Sequence, residues 1–199
     1  GITDFEELNG REVFIQPGII YWEYLKSQYD LSSVVELAYT GQHVNFIPKV
    51  ESVTQAFLTS EPYFMELENV PVESKLISDA GYDPYNVVLY VTKDYLAENE
   101  ATVKAFTTAF IEGWNLYKDS YEEINKLVQK DNPDIELASL KFEAEAQEQF
   151  VYGMDAAENG VGFMTEQRWA TLIEQLHDLE LLDEVFDAKD IFTTDYLVQ

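Results

Sequence analysis

The chain has 199 residues, with 38 Asp and Glu against 12 Lys and Arg, and its net charge of -26 repels phosphate backbones and anionic lipid, arguing against nucleic acid as a partner. Hydrophobic residues make up 46% of it, ample for a core, so the acidity reads as a solvated shell. It has no cysteine, which excludes disulfides, thiolate zinc sites and cysteine nucleophiles while leaving an oxidising compartment open. No apolar run approaches the roughly 20 residues that cross a bilayer.

Short β-rich runs alternate with turns up to Thr92: EVFI at residues 12–15, VVELAY at 34–39, QAFLT at 55–59, KLIS at 75–78 and NVVLYVT at 86–92. A helix containing Tyr21, Trp22 and Leu25 follows the first of them. Helical periodicity then dominates. Val103, Phe106, Phe110, Trp114 and Tyr117 recur three or four residues apart and share one face. Asp119 and Glu122 have capping-box spacing, and Asn132-Pro133-Asp134 reads as a stop before another helix running to about Tyr152. Glycines 153, 160 and 162 break the pattern, and Thr165 is placed to cap a last helix whose Trp169, Leu172, Ile173 and Leu176 form an inward stripe. The helices outnumber what so few strands can cover, which leads to the expectation that a preceding segment of the natural protein is absent.

Three places offer a ligand something to hold. Gln16-Pro17-Gly18, with Tyr21 one turn on, leads from a strand into a helix and would expose unpaired N–H groups, though Pro-Gly is also an ordinary tight turn. Thr59, Ser60 and Glu61 fall at the end of an apolar run, where open α/β sheets place ligands; Ser60 and Glu61 would equally cap a helix through Phe64 and Leu67 with Pro62 in its first turn. Asp79, Tyr82 and Tyr85 stand in a loop that would wall an aromatic cleft or simply make a solvated turn.

Catalysis finds little support. His43 and His177 lack neighbouring metal-ligand patterns, and there is no Gly-x-Ser-x-Gly elbow, phosphate loop or HExxH. His177 reads as an exposed or boundary residue. No metal, nucleotide or covalent cofactor is expected. Only two arginines, Arg11 and Arg168, are available as rigid forks for an anion.

The runs VTQAFLTSEPY, LISDAGYDPYNVVLYVTKDYLAEN, ATVKAFTTAFIEGWNLYKDSYEEINKLVQKDNPD, GVGFMTEQRWATLIEQL and DIFTTDYLV resemble, in order along the chain, the solute-binding components of nitrate/sulfonate/taurine-type ABC importers. The resemblance is to the SsuA/THI5-like family, near its pyrimidine-precursor-binding branch and the thiamine-pyrimidine synthases. It implies an α/β, periplasmic-binding-protein-like type II two-lobed fold lacking the N-terminal part of the first lobe. The implied layout puts residues 1–67 in the second lobe, 68–92 in the crossover and 93–199 in the helical return of the first lobe. It also implies that Gln16, Pro17, Gly18 and Tyr21 form a cleft-facing turn, that Thr59, Ser60 and Glu61 lie beside the hinge, and that Asp79, Tyr82 and Tyr85 cross between lobes. The loop GQHVNFIPK departs from the small-residue loop common in relatives, so the pocket's shape is expected to differ.

Function follows from the same resemblance as an expectation: capture of a small organic solute and delivery to the membrane permease of an ABC importer, by a monomer with no chemistry of its own. Its place would be extracytoplasmic, in a periplasm or at the cell surface, where a lipid anchor on a preceding segment would hold it. A thiamine-pyrimidine-like heterocycle is favoured over a sulfonate, taurine or nitrate anion. A synthase is disfavoured because the related synthases carry a cysteine-rich motif, and a non-transport interaction domain stays open.

Overall fold

EVFI becomes the central strand of a small parallel sheet because three of its four residues are apolar enough to be buried on both faces. In the computed structural model, which describes residues 1–197, β1 (Glu12–Ile15) lies between β2 (Val35–Ala38) and β3 (Val53–Thr54), and both pairings are parallel. Parallel neighbours need a crossover, and between β1 and β2 it is helix α1 (Ile20–Gln28). Val13 and Ile15 point to one face and pack with Phe5, Leu8, Trp22, Leu25 and Leu31. Each fully buried large apolar side chain contributes about 1.5–3 kcal/mol. Phe14 points the other way, where Phe46 meets it edge-on at 6.4 Å and the Lys49 ammonium sits 5.5 Å above its ring.

This sheet lies in the first of two compact units, formed by Gly1–Asp83 and Leu172–Val185; Pro84–Thr171 and the chain from Phe186 onward form the second. The first unit thus runs to Asp83 and takes in a late segment, Leu172–Val185. Helix α2 (Glu61–Leu67) follows β3, with proline in its first turn as the sequence suggested.

Of the five expected strands, the first two form, at Glu12–Ile15 and Val35–Ala38. The third is displaced: β3 covers only Val53–Thr54, and the chain turns away at Gln55–Thr59 because Glu61 draws the Phe57 N–H to its carboxylate at 2.8 Å. Lys75–Ser78 is no strand; the chain winds into a 3-10 turn at Ile77–Ala80, which Gly81 ends in the left-handed region at φ 92°. Residues 86–92 form no strand either, since every paired strand among the described residues lies in the first unit, and Thr92 instead caps the next helix by accepting from the Tyr95 N–H at 3.1 Å.

The second unit is helical. Helix α3 (Lys93–Asp131) has two breaks in its backbone, at Asn99 and Ser120. The second falls one residue past Asp119, where the sequence placed a helix start, so the kink is a local restart of the helix. Helix α4 (Leu137–Val151) begins after the Asn132-Pro133 stop and packs along α3; Ile111 on α3 and Leu140 and Ala144 on α4 are buried. The predicted aromatic face is real: Phe106, Phe110, Trp114, Tyr117 and Tyr121 meet successively with ring centroids 5.7–6.3 Å apart. Phe106 nevertheless remains 59% exposed. A short helix, α5 (Asp155–Asn159), leads to α6 (Glu166–Asp178), which begins in this unit and from Leu172 onward belongs to the first; its Ile173 is buried and its His177 is exposed. Thr165 caps α6 by accepting from the Arg168 N–H at 3.3 Å.

Candidate functional site

Three strands of one parallel sheet end together, and their C-terminal ends are where polar side chains gather. Past β1, Gln16 to Ile19 make a turn closed by the Ile19 N–H on the Gln16 carbonyl at 3.3 Å. Pro17 presets the turn and Gly18, at φ 73°, supplies the conformation that only glycine adopts without strain. Past β2 comes Tyr39, whose N–H donates to the Ile15 carbonyl at 3.0 Å. Past β3 comes Gln55, whose N–H donates to the Phe14 carbonyl at 2.9 Å and whose side-chain oxygen accepts the Gln16 N–H at 2.6 Å.

Glu61, at the start of α2, ties this end together. Its carboxylate accepts from the Phe57 N–H at 2.8 Å, from the Ser60 hydroxyl and from the Tyr39 hydroxyl at 3.4 Å. A carboxylate has about four acceptor positions, so one is left on Oε1. Ser60 holds the N-cap position of α2 but turns its hydroxyl to Glu61 instead of capping the helix. Burial pushes the Tyr39 phenol up, with the Glu61 carboxylate adding to it. Tyr21, in the first turn of α1, is pushed up to about 12 by burial and by Tyr39 beside it, so it stays a neutral hydroxyl at any physiological pH. His43 closes the group, its ring 5.7 Å from that of Tyr39.

Of the predicted site residues, Gln16, Pro17, Gly18, Tyr21, Ser60 and Glu61 therefore share one end of the sheet, with Thr59 in the turn leading to Ser60. Tyr82 belongs elsewhere in the same unit, its ring 5.2 Å from Tyr24, in a patch where the Tyr24 hydroxyl and Gln175 bond the carbonyls of Ala80 and Gly81. Asp79 is exposed in the preceding 3-10 turn. Tyr85 lies in the second unit as a structural hub. Its hydroxyl donates to Asp155 at 2.6 Å and accepts from the Thr165 N–H at 2.8 Å, while the Arg168 guanidinium lies 4.1 Å above its ring.

Tyr39, Gln55 and His43 escaped the sequence reading. The first two immediately follow β2 and β3, but the sequence reading placed both inside strand runs, at 34–39 and 55–59, so the strand-end rule that selected Gln16 passed over them. His43 was weighed only as a metal ligand, and the described residues hold no cluster of three or more metal-ligating side chains.

The chemistry of this end is that of neutral hydrogen bonding around one carboxylate. Arg11 is held by the Glu7 and Glu51 carbonyls and the Glu51 carboxylate, Arg168 lies against Tyr85, and Lys49 pairs with Glu12 at 2.7 Å. A parallel sheet with a polar cluster at its strand ends is the arrangement of a ligand-holding α/β protein, and sequence comparison agrees. The sequence model described as NMT1/THI5 like matches residues 1–124. The chain belongs to the NMT1/THI5-like family. That family has a periplasmic-binding-protein-like fold, which fits the α/β architecture, and its membership supports a solute-binding role outside the cytoplasm. A search of curated proteins found no match. No helix among the described residues is long and apolar enough to cross a membrane.

Proposed function

We propose that this NMT1/THI5-like chain captures a small neutral or cationic organic solute at the strand ends of its parallel sheet and passes it to an ABC importer, without chemical turnover. A planar heterocycle bearing an amino group, of the thiamine-pyrimidine kind, suits the site best. The observation that carries this reading is the Glu61 carboxylate with its one open acceptor position, set among hydroxyls and amides with the arginines bonded elsewhere. An amino group donates to a carboxylate, whereas a sulfonate or nitrate would be repelled by it. Tyr21 and Tyr39 supply ring faces for a planar ligand. A type II two-lobed arrangement and an extracytoplasmic place, lipid-anchored or free, complete the proposal, on the strength of the family.

A second reading, an anion such as a sulfonate, taurine or nitrate, is favoured by one feature: α1 has no side-chain cap at Ile19, so its first N–H groups are open to an acceptor. Thermal-shift assays decide between the two, because a ligand that binds only the folded state raises its melting temperature. A shift with 4-amino-5-hydroxymethyl-2-methylpyrimidine and none with taurine, methanesulfonate or nitrate is expected. The reverse pattern would move the assignment to the anion.

A further inference from the structure

His43 stands at the strand ends with a capacity that the fold leaves unused. Its Nδ1 is buried and has no hydrogen-bond partner. The other buried side-chain atoms in that condition, Trp22 Nε1, Asn125 Nδ2 and Trp169 Nε1, sit on helices. The backbone of His43 is fixed independently of its ring, since its carbonyl accepts from the N–H groups of Phe46 and Ile47, both at 2.9 Å. The ring is tilted 46° to that of Tyr39, which is bonded to Glu61 and lies beside Tyr21. In a neutral imidazole one nitrogen carries the proton and the other accepts. With the proton on Nε2, the tautomer that leaves no unpaired donor at this buried atom, Nδ1 is a bare acceptor. Such a group is a standing cost to the fold unless a donor is brought to it.

We propose that His43 Nδ1 is the acceptor that reads an N–H or O–H of the captured solute, which makes His43 a specificity-determining contact of this site. The proposal rests on the solute-binding reading above and extends it. Glu61 has one acceptor position left and reads one donor; His43 reads a second. An aminopyrimidine carrying a hydroxymethyl group has two donors, one for each. A pyrimidine that lacks either donor leaves one acceptor unpaired and binds more weakly.

Long-range proton–nitrogen correlation spectra of the histidine rings test this on the whole chain, with 4-amino-5-hydroxymethyl-2-methylpyrimidine as the probe and His43→Phe to identify the resonances. The free chain is expected to show His43 protonated on Nε2 alone, and the probe to shift the Nδ1 resonance. Calorimetry with the same probe should show affinity falling about fivefold or more in His43→Phe, and by less than about threefold in His43→Gln, whose carbonyl restores an acceptor. A proton on Nδ1 in the free chain, or equal affinity for His43→Phe, overturns the role of His43 and leaves solute capture intact. Failure of the unsubstituted chain to bind the probe overturns the heterocycle reading and this proposal together.

Discussion

A single carboxylate organises the candidate site, and its substitution separates architecture from recognition. Glu61→Gln keeps the shape of the side chain but replaces one acceptor oxygen by a donor, which then faces the Phe57 N–H or the Tyr39 hydroxyl. A loss of about 1–3 kcal/mol in stability is expected, read from the urea midpoint, together with weaker solute binding. Tyr21 gives a pH signature. Its folded pKa is raised to about 12 from an ordinary value of 10.0, so below pH 10 it adds nothing to the pH dependence, and between 10 and 12 the unfolded state loses its proton first. Stability should fall as pH rises through that window, and Tyr21→Phe should flatten the fall; tyrosinate absorbance would locate the titration. The residues legible in advance were those whose chemistry is announced by backbone punctuation: Gln16-Pro17-Gly18 by its turn and Ser60-Glu61-Pro62 by its helix start. Tyr39 and His43 carry no such mark, because an aromatic after a strand looks the same in sequence whether it packs or binds.

Elements were legible where local chemistry decides them and illegible where pairing does. Thr165, Asn132-Pro133 and the period of Phe106 to Tyr117 act within a few residues of chain, and each fixed its helix as read. Thr165→Ala should therefore cost about 1 kcal/mol by removing the acceptor for the Arg168 N–H, measurable by chemical denaturation. Strands need partners that local sequence does not reveal. NVVLYVT has every β-forming residue type it needs, yet Val87 is 90% exposed and unpaired, because a strand exists only beside another strand. Gly18→Ala tests the turn that leads out of β1. No atom lies within 4 Å of the added methyl, so only backbone strain at φ 73° is charged, about 1–2 kcal/mol.

Charge is the property that belongs to the whole molecule. At -26 the chain repels itself in the compact state, and salt relieves the repulsion as the Debye length shrinks from about 10 Å at 0.1 M to about 3 Å at 1 M. The melting temperature should rise over that range of KCl; a flat or falling curve would show that the acidic shell costs the fold nothing. Family membership, too, belongs to a long stretch of chain, the match running over residues 1–124. Solute capture at the strand ends is tested most directly by hydrogen exchange of the chain with and without 4-amino-5-hydroxymethyl-2-methylpyrimidine. Slowed exchange in the segments holding Gln16 to Tyr21, Tyr39 to His43 and Gln55 to Glu61, with α4 unchanged, is the expected result. Binding that leaves those three segments unprotected, or protects α4 in their place, would contradict the account.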